Sequence, residues 1–260
     1  MPVVLVLIGR GEPAWPFLLL VLALAAVAQW ELYRMFARIG IAADVGAGLV
    51  LGALVVLAFA FGGGTRPWLV SLALSVAVAA CLALGLRGTS GARPDWGGRA
   101  LTLLGVCYCA WLLGHAVWLR ALPDGAALTR LALGVTWCGE AAAFFVGRRF
   151  GRHKLAPQVS PGKTVEGAGA QLVLSVLAAL VPWGVGSMTA AHAVGIGLVL
   201  GITGQIGDLA ESFLKRSAAA KDAGVLVPGH GGLLDRLDSL LFNLPALYYY
   251  VTLLPLQGRA

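Results

Sequence analysis

Charge is scarce in this chain. Only 12% of its 260 residues are Asp, Glu, Lys or Arg, while 59% are hydrophobic. A soluble globular domain carries roughly 25% charged residues, so the composition excludes an ordinary water-soluble domain and places the chain among integral membrane proteins. Cysteine is also sparse. Cys81, Cys107, Cys109 and Cys138 all lie inside apolar runs, and their spacing matches no zinc or redox pattern. They read as small buried apolar residues. No internal repeat is visible, which argues against a transporter built from repeated halves. No low-complexity tail and no separate soluble domain are expected from these residues.

What is present is a succession of apolar runs. A membrane-spanning helix needs about 20 predominantly apolar residues. Eight runs meet or approach that length, at about 14–33, 42–62, 67–87, 100–120, 126–147, 166–184, 189–207 and 239–256. A ninth, Val3 to Ile8, is too short to cross a bilayer as a helix and reads as an interfacial stub. The expected fold is therefore all-α: a polytopic membrane protein with about eight transmembrane helices and a short N-terminal hydrophobic stub. It is expected to form one membrane-embedded domain over residues 1–260.

The net charge of +7 could suggest a nucleic-acid partner, but its distribution argues for orientation in a membrane and no nucleic acid. When loops are assigned alternately to the two sides, fourteen of the nineteen Lys and Arg residues fall on one side. By the positive-inside tendency that side is cytoplasmic. It carries the connections 87–99 and 147–167 and the segment 207–239.

That last segment, "GDLAESFLKRSAAAKDAGVLVPGHGGLLDRLDS", gathers nine charged residues and five of the twelve acids. In its first part Asp208, Glu211, Ser212 and Lys215 share one helical face, with Leu209 and Phe213 opposite. The helix continues an apolar run, so this face lies at the membrane surface, where an ionisable group is costly unless it is paired or faces a wet cavity. A salt-bridged helix end would account for some of these groups but needs fewer of them.

The segment's second part is "PGHGGLLDRLD". Gly231 and Gly232 permit close backbone approach. A helix starting near Leu233 offers amide donors at its N-terminus, an arrangement suited to anions. Asp235 and Asp238 sit one turn apart on that helix, a spacing that suits a hard cation such as Mg²⁺. The helix dipole alone would explain one acid there. His230 is read as a hydrogen-bonding or phosphate-contacting group, not a metal ligand. Lys215, Arg216, Lys221 and Arg236 would neutralise phosphate oxygens beside the carboxylates.

Two further features stand upstream. "SPGKT" at 160–164 has the end of a P-loop but Pro157 where the P-loop glycine belongs, and no strand is expected before it, so a P-loop is rejected. Phosphate contacts from Ser160, Lys163 and Thr164 remain open, as does a simple positive-inside role. Glu140 is a carboxylate inside the run 126–147 and is a functional candidate on that ground. Of the acids, it alone is read as lying well within a run.

Together these residues resemble the CDP-diacylglycerol synthase (phosphatidate cytidylyltransferase) family. The signature reads Ser212, Lys215-Arg216, Lys221-Asp222, His230-Gly231-Gly232 and Asp235-Arg236-Leu237-Asp238. The resemblance runs from about Trp137 to Ser239, which marks the catalytic segment at about 137–239. Glu140 stands where the family usually has Asp, Phe144 where it has Tyr, Val165 where Trp is usual, and Val227 where Ile, Leu or Phe is found.

The resemblance implies transfer of a cytidylyl group from CTP to phosphatidate, giving CDP-diacylglycerol and pyrophosphate. It implies Mg²⁺ held by Asp208 and Asp235; Glu140, from its place in the apolar run, is a candidate third ligand or a partner for a nearby Arg, and a second cation is open. Asp208, Lys215, Arg216, Lys221, Asp222, Asp235, Arg236 and Asp238 would carry catalysis. Ser160, Lys163, Thr164, Ser212, His230, Gly231 and Gly232 would bind substrate. The expected setting is the inner (cytoplasmic) membrane, multi-pass, with the site facing the cytoplasm; a homodimer is compatible with the resemblance. A polyprenol kinase using CTP would instead release CDP. A CDP-alcohol phosphatidyltransferase would show an acid pattern that this chain lacks. A transporter would spread acids over several spans.

Overall fold

The computed structural model describes residues 15–63, 66–87, 96–186, 188–224, 231–254 and 256. The stub at Val3 to Ile8, His230, Val227 and most of the 87–99 connection lie outside these residues.

The described chain is almost wholly helical. Its elements are α1 (Trp15–Ala37), α2 (Val45–Gly62), α3 (Trp68–Arg87), α4 (Trp96–Gly105), a π-helical turn (Val106–Trp111), α5 (Leu112–Ala121), α6 (Gly125–Phe150), β1 (Lys154–Ala156), β2 (Ser160–Thr164), α7 (Val165–Ala179), α8 (Ala190–Ser217) and α9 (Leu234–Leu253). Each apolar run corresponds to one helical stretch, with α4, the π turn and α5 forming a single one.

Five stretches among the described residues are long and apolar enough to cross a membrane: Trp15–Ala37, Val45–Gly62, Trp68–Leu86, Trp96–Ala121 and Ala190–Ser217. The other three differ for physical reasons. α7 has 15 residues, or about 22 Å at 1.5 Å per residue, short of the roughly 30 Å hydrocarbon core. α6 carries Arg130, Glu140, Arg148 and Arg149. α9 carries Asp235, Arg236 and Asp238 in its first turns and Pro245 in its interior.

The chain divides into two compact units. One contains Leu119–Arg216 and Leu237–Ala260; the other contains Gly11–Trp118 and Ser217–Arg236. In the second unit, buried polar groups pin α1, α2 and α4 together. Gln29 Nε2 donates to the Tyr33 hydroxyl (3.1 Å) and to the Gly48 carbonyl (3.0 Å), and the Tyr33 hydroxyl donates to the Thr102 carbonyl (2.8 Å). The α2 N-terminus is capped by Asp44, whose carboxylate accepts from the Ala47 amide and pairs with Arg99 at 3.1 Å.

In the first unit, α6 and α7 are joined by the hairpin β1–β2, an antiparallel pair in which Lys154 faces Thr164 and Ala156 faces Ser160. No strand was expected before "SPGKT", yet β1 precedes it and the motif itself forms β2. Thr164 ends β2 and caps α7, its hydroxyl accepting from the Gly167 amide at 3.1 Å. α8 is set against both α7 and α9 by glycines. A Cβ at Gly197 would meet the Val176 backbone at 2.5 Å, and one at Gly207 would meet the Asp238 carbonyl at 2.5 Å. Small residues at such contacts let helix backbones approach closely where no water is available to drive packing. Asn243, fully buried, ties α6, α8 and α9 together: it donates to Thr136 Oγ1 (2.7 Å) and accepts from Thr203 Oγ1 (2.6 Å).

Candidate active site

The site begins with the polar face of α8. Glu211 (1% exposed) and Ser212 (8%) are buried, whereas Phe213 on the other face is 58% exposed. The charged face therefore turns inward. Because Gly207 brings the α9 backbone against α8, Asp208 and Glu211 of α8 come together with Asp238 of α9. One carboxylate oxygen from each lies within 4.8 Å of the others. Like charges at this separation repel strongly unless a cation or a proton is shared among them. A cluster of carboxylate oxygens is the donor set of a hard cation such as Mg²⁺, so these residues fit a divalent ion.

Cations surround the cluster. Lys215 forms an ion pair with Glu211 one turn earlier on α8. Lys163, from β2, places its ammonium 2.8 Å from an Asp208 carboxylate oxygen. Arg216 Nε donates to the carbonyl of Val159 in the hairpin turn at 3.3 Å, which ties the end of α8 to β1–β2.

Beside these groups opens a cavity of about 480 Å³. Glu140 and Arg148 of α6, Ser160 and Lys163 of the hairpin, Gln171 of α7 and Asp208 of α8 all contribute to its wall. Glu140 thus shares a chamber with Asp208, as does the "SPGKT" strand. Thr164 also lines the cavity, but its hydroxyl is engaged in capping α7. Arg148, Gln171 and Gln205 of the cavity wall escaped the sequence reading. The glutamines carry no charge to mark them, and Arg148 was counted only as an orienting charge.

The remaining signature residues belong to the other unit. Lys221 and Asp222 are exposed in the turn after α8, and Arg236 is exposed at the start of α9. Asp235 is engaged locally: one carboxylate oxygen accepts from the Gly232 amide (2.7 Å) and from the Ala223 amide (3.1 Å). Gly231 has φ +79, and a Cβ there would lie 2.9 Å from Asp235. The next amides, of Leu233 and Leu234, donate to the two carboxylate oxygens of Glu31 at 3.0 and 2.8 Å. The N-terminus of α9, read from sequence as suited to an anion, is thus met by the protein's own carboxylates. Glu31 was not singled out from sequence. It sits at the end of the run 14–33, beside Arg34, where an acid looks like an ordinary interfacial charge.

The sequence profile of the cytidylyltransferase family matches residues 1–254. The chain belongs to the cytidylyltransferase family. Among its relatives, a Synechocystis (strain PCC 6803) phosphatidate cytidylyltransferase is 43% identical over 137 residues, 51% of this chain and 45% of the relative. A Bacillus subtilis (strain 168) phosphatidate cytidylyltransferase is 43% identical over 121 residues, 46% of this chain and 45% of the relative. The Escherichia coli (strain K12) protein YnbB, named as uncharacterized, is 40% identical over 148 residues, 54% of this chain and 49% of the relative. The chain thus spans about half the length of the curated relatives it matches. Family membership and the five helices long and apolar enough to cross a membrane together fit a multi-pass membrane protein.

Proposed function

We propose that this protein is a phosphatidate cytidylyltransferase, in which the phosphate of phosphatidate attacks the α-phosphorus of CTP. The new P–O bond forms as the bond to the β-phosphate breaks, giving CDP-diacylglycerol and pyrophosphate. The observation that carries this reading is the juxtaposition of the Asp208–Glu211–Asp238 cluster with the Lys163-lined cavity. Anionic substrates need cations, and a hard cation needs these carboxylates.

Asp208, Glu211 and Asp238 would hold a divalent cation, in our reading Mg²⁺. When bound, it would screen the triphosphate and orient its α-phosphate. Lys163 and Arg148 are aligned along the cavity to take phosphate oxygens, and Lys215 balances the acids from α8. No protein nucleophile is required, so catalysis rests on positioning and charge neutralisation. Helix α8, which carries Asp208 and Glu211, is apolar and long enough to cross a membrane, which supports a lipid phosphate meeting the site while its acyl chains stay in the bilayer. The positive-inside bias supports a cytoplasmic site, where CTP is found.

The test is incubation of purified protein with CTP labelled in its cytosine ring, phosphatidate and Mg²⁺. A labelled CDP-lipid with stoichiometric pyrophosphate is expected. Release of labelled CDP and a phosphorylated lipid would make the protein a CTP-dependent kinase instead.

A further inference from the structure

A carboxylate inside a membrane span is costly and needs a specific reason to be there. Glu31 lies on α1, the first described helix, and is 1% exposed. Its two oxygens accept from consecutive backbone amides, Leu233 at 3.0 Å and Leu234 at 2.8 Å, about two hundred residues away in sequence. The first amides of a helix have no partner within it, and its N-terminus favours negative charge. Glu31 meets both demands for α9 from another helix.

Its surroundings are shaped around it. A Cβ on Gly224 would lie 2.5 Å from one Glu31 oxygen and 2.8 Å from its carboxyl carbon, and the third nearest atom is also of Glu31. A Cβ on Gly232 would lie 2.7 Å and 2.8 Å from the two Glu31 oxygens. Gly224 does not occupy the left-handed region, so its backbone would accept a side chain and what excludes one is the carboxylate. Asp235 adds a second fastening through the Gly232 and Ala223 amides. The amides of residues 232, 233 and 234 are therefore all held by carboxylates.

We infer that Glu31 is a positioning residue: from α1 it latches the first turn of α9 and so sets Asp235 and Arg236 for the reaction. A corollary is that the amides at the start of α9 are not available to a substrate phosphate, which must be met by side chains. The latch itself stands on geometry; its effect on turnover rests on the cytidylyltransferase reading.

The experiment uses the full-length protein in lipid nanodiscs. Amide exchange would be followed at residues 232–236, and CDP-lipid formation measured at saturating CTP, phosphatidate and Mg²⁺. Glu31→Ala should speed exchange of the 232–236 amides at least tenfold while leaving those of α6 and α8 unchanged. Maximal turnover per folded molecule should fall at least tenfold. Gly224→Ala, which pushes the carboxylate off its amides, should do the same. Joined with Glu31→Ala it should add no further loss, since its clash has been removed.

Should Glu31→Ala not fold, Glu31→Gln keeps the volume and one acceptor oxygen but turns an NH₂ group toward the second amide. It should open the 232–236 amides partially and lower maximal turnover in proportion. Native protection of those amides in both Glu31 variants would overturn the latch. So would unchanged maximal turnover with the amides open, or independent losses from Gly224→Ala and Glu31→Ala. If the unmodified protein makes no CDP-lipid, the proposed function fails, and the exchange data still decide whether the latch exists.

Discussion

The Lys163 ammonium sits 2.8 Å from a carboxylate oxygen of Asp208, bridging the β1–β2 hairpin and α8 at the edge of the cavity. The side chains are 22% and 37% exposed, so the pair is neither a loose surface contact nor a sealed one. A lysine so placed can hold the acid in position and can also reach a phosphate oxygen. Lys163→Ala should therefore lower turnover with little loss of folded protein. A charge-assisted contact is worth roughly 1.5–3 kcal/mol, or about ten- to a hundred-fold in kcat/KM for CTP. Steady-state kinetics on the purified variant checks this, and unchanged kinetics would return Lys163 to an orienting role only.

Gly207 should be as sensitive as any charged residue. A Cβ there would meet the backbone carbonyl of Asp238 at 2.5 Å, and backbone cannot swing aside as a side chain can. Gly207→Ala should force α8 and α9 apart, lower the melting temperature and reduce turnover more than tenfold by separating Asp208 from Asp238. Gly169→Ala is the matched control, since a Cβ at that position meets nothing within 4 Å. It should keep activity and gain up to about 1 kcal/mol from helix propensity. Thermal unfolding and CDP-lipid formation by the two variants make the comparison.

The eight helical stretches were legible because apolar runs of membrane length can do little else than form helices. The face Asp208–Glu211–Ser212–Lys215 was legible for a similar reason, since helical spacing alone aligns it. The β1–β2 hairpin was not. Its strands are three and five residues long, contain Pro161 and basic groups, and take their order from packing that no local pattern encodes. Glu31 was missed because its partners, Leu233 and Leu234, are defined by the tertiary fold. The grouping of Asp238 with Asp208 depends on the Gly207 contact, which the sequence presents only as one of 36 glycines.

Orientation can be tested independently of chemistry. The basic bias predicts that the turn after α8 faces the cytoplasm and the connection between α7 and α8 faces outward. In a background lacking the four native cysteines, a cysteine replacing Gly186 should react with a membrane-impermeant reagent on intact cells. One replacing Ala219 should react only after the cells are opened. Efficient labelling at 219 from outside would invert the arrangement.

The carboxylates provide the sharpest test, because the resemblance and the geometry rank them differently. The resemblance assigns the cation to Asp208 and Asp235. The geometry gathers Asp208, Glu211 and Asp238 within reach of one ion, while one Asp235 oxygen serves the Gly232 and Ala223 amides. An Asn at 208 or 238 supplies an oxygen but no charge, so each of Asp208→Asn and Asp238→Asn should lower turnover at least a hundred-fold and raise the Mg²⁺ concentration needed for half-maximal activity. The double variant should be little worse than either single one, because groups that act as a unit are not additive. Asp235→Asn loses the charge that strengthens two amide hydrogen bonds. It should show its main effect as faster amide exchange at Ala223 and at residues 232–236, with its Mg²⁺ requirement unchanged. Titrating Mg²⁺ against CDP-lipid formation for the four proteins decides between the two rankings. A raised Mg²⁺ requirement in Asp235→Asn with a normal one in Asp238→Asn would restore the assignment drawn from the resemblance and remove Asp238 from the cation's shell.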